Sequence, residues 1–177
     1  MTKEGAAIRR AAAGDAAALA VFAERVFRDA FGADNRPLDL EAYVASAFSE
    51  AIQRGEIEDP RLESWLLLAG DRLAGYAQLW EGPAPPAVPA GPVIELRRFY
   101  VDRPWQGRGL AARLMTHVFE AALRRGAGAV WLGVWERNAR AIAFYRKCGF
   151  ADVGSQTFEL GSDRQQDRVM WRRVRDE

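Results

Sequence analysis

The sequence predicts a mixed α/β fold: a strand, two helices, three strands, a helix, a strand, a helix and a closing pair of strands. Two observations carry this expectation. Apolar residues recur at helical spacing in some segments and run as short strand-like blocks in others. Glycine, proline, aspartate and asparagine mark most of the junctions between them. The chain of 177 residues is read as one domain over 1–177, and its 49% hydrophobic content is enough for a full core.

The elements follow in order. "AAIRRAAAGD" is a short strand running into a turn, after which Asp15 is placed to cap a helix carrying Leu19, Phe22, Val26 and Ala30 on one face. "LDLEAYVASAFSEAIQRG" is a second helix, with Leu40, Tyr43, Val44, Ala47 and Ala51 aligned and Gly55 at its end. "SWLLLAGDRLAGYAQLWEG" is two strands around the turn Gly70-Asp71. The prolines of "PAPPAVPAGP" remove ladder donors and make it a loop. "VIELRRFYV" is a strand, and "GLAARLMTHVFEAALRRG" is a helix with Leu110, Leu114, Val118 and Ala122 in line and Arg124 and Arg125 at its C-terminal end. "AVWLGVW" is a strand, and "NARAIAFYRKCGF" is a helix capped by Asn138 and closed by Gly149. "TFEL" and "RVMWRRV" are the final strand pair.

Composition excludes several classes. The formal net charge of +1 argues against wholesale nucleic-acid binding. A single cysteine, Cys148, allows no intramolecular disulfide, and one histidine with one cysteine builds no Cys/His metal site. The alanine-rich start is too charged for a secretory signal, and no segment has the run of apolar residues that a membrane span needs. The expectation is a cytoplasmic protein with neither membrane nor metal, for which a homodimer is left open. Cys148 reads as a small buried thiol, His117 as solvent-facing, and Trp65, Trp80, Trp131 and Trp171 as core. Trp105, in a turn, reads as more exposed.

"FYVDRPWQGRGLAARLM" joins a strand to a helix through Gly107 and Gly109, with Arg103 and Arg108 beside them. A helix start exposes unpaired amide hydrogens and partial positive charge, and glycine lets an anion approach the backbone. Such a turn suits a pyrophosphate; a glycine-containing turn with solvated arginines is the alternative. It lacks the Gly-Lys-Ser/Thr of a P-loop and the spacing of a dinucleotide fingerprint.

"VDRPWQGRGLA" resembles the Q/R-x-x-G-x-G/A signature of the GCN5-related N-acetyltransferases through Gln106, Gly109 and Ala111, and "WERNARAIAFYRKCGF" resembles that family's second cofactor segment. The resemblance covers essentially the whole chain. It implies a mixed sheet of about seven strands with about four helices, in which strands 4 and 5 splay apart to hold acetyl-CoA. "IELRRFYVDRPWQGRGLAARLM", "WLGVWERNARAIAFYRKCGF" and "GSQTFELGSDRQQDRVM" are further similar to bacterial spermidine/spermine acetyltransferases of the PaiA type, with Gln156 where that pattern has histidine.

By this resemblance the backbone of Phe99, Tyr100 and Val101 binds the acetyl and pantetheine portion. The turn of Gln106, Gly107, Arg108, Gly109, Leu110 and Ala111 binds the pyrophosphate, and Asn138 bonds the pantetheine arm. Tyr145, two helical turns after Asn138, faces the same ligand and matches the tyrosine that protonates the coenzyme A thiolate. Glu95, six residues before Val101, sits where the histone-modifying branch has its general base. An ion pair with Arg97 or Arg98 is the alternative for Glu95, packing the alternative for Tyr145, and helix capping the alternative for Asn138. The expected reaction moves an acetyl group to a primary amine such as a polyamine. Transfer to a protein N-terminus or lysine, or cofactor binding without turnover, are the rival readings.

Charge adds a hint about the acceptor. Residues 34–63 hold eight acids against three arginines, and residues 97–125 hold seven arginines against two acids. The acidic stretch is expected to fold over a cationic acceptor and the basic one to face the phosphates.

Overall fold

The protein is described by a computed structural model over residues 5–174. One sheet contains β1 (Ala6–Arg10), β2 (Leu62–Ala69), β3 (Arg72–Trp80), β4 (Val93–Val101), β5 (Ala129–Trp135), β6 (Ala151–Leu160) and β7 (Asp163–Arg173), ordered β1-β2-β3-β4-β5-β7-β6. Every neighbouring pair is antiparallel except β4 and β5. The helices are α1 (Ala16–Phe31), α2 (Pro37–Ala47), α3 (Glu50–Glu58), α4 (Leu110–Arg124) and α5 (Ala139–Lys147).

Helix count differs from the expected four because the second helix divides. Phe48 leaves helical geometry at φ −125°, ψ 18°. Ser49 then caps a new helix, its hydroxyl accepting from the Ile52 N–H at 3.2 Å. Burial of Phe48 at 3% exposure secures the break. Gly55 consequently lies inside α3 rather than at its end. The closing strands also start earlier than expected. β6 pairs with β7 from Ala151 onward, through an irregularity between Asp152 and Gly154. Polar residues alternate along this edge strand, which is why only its apolar end was legible as strand.

Asp15 stands at the start of α1 without capping it. Its carboxylate turns back instead, accepting from the Ala12 N–H at 2.8 Å and pairing with Arg9 through both oxygens. His117 does not face solvent. Its ring meets Trp65 edge-on at 4.2 Å, and its Nε2 is buried without a partner. Cys148 is half-buried and free. Trp131 is buried at 3%, whereas Trp65, Trp80 and Trp171 are half-buried.

Two cores flank the sheet. On one face, Leu114, Met115, Val118 and Ala122 of α4 pack with Ile142 and Tyr145 of α5 on Ile94, Leu96, Val130 and Leu132. On the other, Phe22, Val26 and Phe27 of α1 and Leu40 and Val44 of α2 pack with Leu66 and Tyr76. The proline-rich loop builds a third, smaller cluster, with Val88 buried against Trp131 and Val169.

The decisive irregularity is in β4. Gln78 pairs with Arg98 and Leu79 with Leu96, so Arg97 is an extra residue. A bulge of this kind bends a strand and slips its alternation. Before it, Ile94 and Leu96 face the α4 core; after it, Phe99 and Val101 do. β4 and β5 are paired only from Val93↔Ala129 to Glu95↔Trp131. Beyond that point the two strands part, leaving their facing backbone edges without ladder bonds.

Candidate active site

A cleft of about 740 Å³ opens where β4 and β5 part. β4 lines it from Glu95 to Val101, β5 from Gly133 to Trp135, and α5 through Asn138 and Tyr145. Of the residues singled out in the sequence, Glu95, Phe99, Tyr100, Val101, Gln106, Gly107, Ala111, Asn138 and Tyr145 all meet here. Arg108, Gly109 and Leu110 complete the turn but do not line the cleft. Trp105 does not line it either; it packs on the core beneath the turn, with Arg108 stacked over its ring at 5.2 Å.

The turn has the geometry of an anion site. Gly107 and Gly109 adopt φ +74° and +78°, a region open to glycine and costly for other residues. A Cβ at either would meet nothing within 4 Å, so the backbone conformation, not crowding, demands glycine. Gly109 precedes α4 with no side-chain cap. Arg113 is the first residue of α4 whose N–H bonds back along the helix, to the Gly109 carbonyl at 3.1 Å. The amides before it are left for another acceptor. Arg108 and Arg113 form no ion pair among the described residues.

Gln106 is used locally: its Nε2 donates to the Val101 carbonyl at 2.7 Å and ties the turn to the end of β4. Arg25 of α1 grips Asp102 through both guanidinium nitrogens at 3.0 and 2.7 Å, and Arg103 donates to the Asp29 carbonyl at 3.1 Å. α1 is thereby fixed against the turn. These residues fit an extended phosphate-bearing ligand such as acetyl-CoA, with diphosphate at uncapped amides and a chain between parted strands.

Asn138 caps α5, its Oδ1 accepting from the Ala141 N–H at 3.1 Å; its Nδ2 makes no hydrogen bond within the described protein. Tyr145 is 9% exposed, its ring edge-on to Phe99 and Phe150. Its hydroxyl has no hydrogen-bond partner among the described residues, and burial raises its pKa, so it is protonated at neutral pH.

Glu95 forms no ion pair among the described residues. Arg98 pairs instead with Glu56 at 2.6 Å, and Arg97 stands over the Trp80 ring at 5.1 Å. Burial pushes the Glu95 carboxyl up to about 7, against the opposing pull of Arg97 and Arg98. Sequence reasoning missed a second carboxyl. Asp167 of β7 lines the cleft at 8% exposure, without a hydrogen bond or ion pair to any described residue. Burial, reinforced by Glu136, raises it to about 6. Its sequence signals are a place next to the strand-like "RVMWRRV" and inside the segment "GSQTFELGSDRQQDRVM".

The acidic stretch does not play its expected part. None of its eight carboxylates lines the cleft, and six are held by arginines: Asp39, Glu41, Glu50, Glu56, Asp59 and Glu63. Pairing spent that charge within the fold. The stretch contributes aromatic walls instead. Tyr43 stacks on Phe27 at 4.8 Å and meets Phe158 edge-on at 5.4 Å, and all three line the cleft.

Sheet, turn and cleft together define an acyltransferase-type α/β fold. The chain belongs to the acetyltransferase (GNAT) family, whose profile matches residues 24–150. It is an N-acetyltransferase of the type that depends on acetyl-CoA. It is 35% identical over 160 residues to an uncharacterised N-acetyltransferase of Mycobacterium tuberculosis, covering 90% of this chain and 98% of the relative. In fold it is similar to the PaiA N-acetyltransferase of Thermoplasma acidophilum, solved with coenzyme A (TM-score 0.77, 17% identity, 96% and 99% coverage). It is also similar to the ribosomal-protein-S18-alanine N-acetyltransferase of Escherichia coli (TM-score 0.68, 19% identity, 98% and 96% coverage).

Proposed function

We propose that this N-acetyltransferase acetylates a small primary amine, with a polyamine such as spermidine or spermine as the acceptor class. The observation that carries the reading is the meeting of Glu95, Tyr145 and the turn residues Gln106, Gly107 and Ala111 around one cleft. Bound acetyl-CoA supplies the acetyl group as a thioester. The turn from Gln106 to Ala111 holds its pyrophosphate on backbone amides with Arg108 alongside, and the free edge of Phe99, Tyr100 and Val101 together with Asn138 holds the arm.

Glu95 takes the proton from the incoming ammonium at a carboxylate poised near neutrality. Tyr145 holds a proton at its Oη at the cleft, ready for the departing sulfur. The aromatic walls of Phe27, Tyr43 and Phe158 exclude water from the acceptor side. Glu95 and Asp167, without ion-pair partners among the described residues, favour a cationic acceptor over a neutral one.

The test is coenzyme A release measured over polyamines, simple amines, amino acids and peptides with a free N-terminus or lysine. Selective turnover of polyamines is expected. Turnover confined to peptides would overturn the small-amine reading and leave the acetyltransferase intact.

A further inference from the structure

Asp167 has no role in the chemistry assigned above, yet it is the most buried carboxylate of the cleft. Its side chain lies against Gly133 of β5. A Cβ built at Gly133 would stand 3.1 Å from Asp167 Oδ2 and 2.7 Å from Gln156 Nε2. The missing side chain is what admits both groups. Asp167 and Gln156 are register partners across β7 and β6. A buried carboxylate without a donor is costly unless something in the working state supplies one.

Its position relative to Glu95 is informative. Val93 packs with Trp131 and Val169 beneath the proline-rich loop, so Val93 and Glu95 face away from the α4 core, as do Trp131 and Gly133. Glu95 stands opposite Trp131, two residues before Gly133 along β5. Strand spacing of roughly 4.8 Å and a rise of about 3.3 Å per residue put the Glu95 backbone and the Gly133 gap about 8 Å apart. The cleft therefore presents two carboxyls on one sheet face, with the aromatic surfaces of Tyr43 and Phe158 alongside. The charged neighbours are Arg97 and Arg98 near Glu95, and Glu136 near Asp167.

We infer that Asp167, seated with Gln156 in the space left by Gly133, binds a second cationic nitrogen of the acceptor while its reacting amine lies at Glu95. Asp167 is then a specificity-determining residue, and the acceptor is a diamine-like molecule with a short apolar spacer. This rests on the amine-acetylating reading above.

Calorimetric titration at saturating coenzyme A compares 1,5-diaminopentane with pentylamine, alongside acetyl transfer to each. The parent protein is expected to bind the diamine more tightly. Asp167→Asn, close to isosteric, lowers the ratio of diamine to monoamine affinity about tenfold or more. Gly133→Ala, which drives a methyl group into Gln156 and Asp167, lowers the same ratio, with thermal melting confirming its fold. A purely structural role moves both affinities together and leaves the ratio as in the parent; that result, with acetyl transfer to amines normal, would overturn this inference alone. A parent protein that transfers acetyl to no amine would overturn the proposed function and this inference with it.

Discussion

Glu95 faces Trp131 across the last paired position of β4 and β5, and the two strands part immediately beyond it. The carboxyl therefore sits at the floor of the gap, where burial raises it to about 7.

This placement predicts a pH signature. An acceptor amine with an ordinary pKa of about 10.4 arrives protonated at neutral pH. Glu95 gains its charge as pH rises through about 7, so kcat/KM should rise across that range and again as the free amine becomes abundant. Glu95→Gln should lose the first limb, with a defect of about 10²-fold or more near neutrality that shrinks toward high pH. A pH–rate profile measures this; a defect of constant size at every pH would remove the base role.

Stability should carry the same two carboxyls. Glu95 and Asp167 are raised to about 7 and about 6 by burial. A raised acid contributes stability fully present below its unfolded value, near pH 4, and loses it as pH rises through the folded value. The protein should therefore lose stability between about pH 4 and 7. Glu95→Gln, which cannot ionise, should lose less over that range. Melting temperatures at the two pH values in the absence of ligand decide it, and parallel declines would show that Glu95 ionises freely.

Tyr145→Phe keeps the ring packed against Phe99 and Phe150 and removes only the hydroxyl at the cleft. Turnover should fall by about 10²–10⁴-fold with coenzyme A affinity nearly intact, because the proton is needed only as charge develops on sulfur. Full turnover in this variant would leave Tyr145 a packing residue.

Gly109→Glu should abolish coenzyme A binding by placing a carboxylate beside the uncapped amides of α4. The substitution also strains a backbone at φ +78°. Gly109→Ala carries that strain without the charge, at a cost of about 1 kcal/mol, and should retain measurable affinity. Titration calorimetry of both variants separates the effects. Equal affinity in the parent and a folded Gly109→Glu variant would dismiss the turn as the phosphate site.

Local signals determined much of the protein. The seven strands, the α4 and α5 helices and the strand-glycine-helix turn are all legible, because alternation, helical spacing and positive-φ glycines act over a few residues. Glu95, Asn138 and Tyr145 could be singled out through the resemblance of their segments to the family, with Tyr145 two helical turns after Asn138 and Glu95 six residues before Val101. The division of the second helix was less visible: Ser49 signals a cap, but burial of Phe48 makes the break. Tertiary structure decided what spacing cannot. The Arg97 bulge exists only relative to β3, and it parts β4 from β5 and turns Phe99 and Val101 toward the α4 core. Charge was the most misleading signal, since a count along the chain cannot tell a paired carboxylate from a free one. The acids of residues 34–63 are largely consumed by arginines, some of them distant in sequence. Asp167, from near the opposite end of the chain, has no ion-pair partner among the described residues, and the order of β5, β7 and β6 brings it beside Gly133 and Gln156.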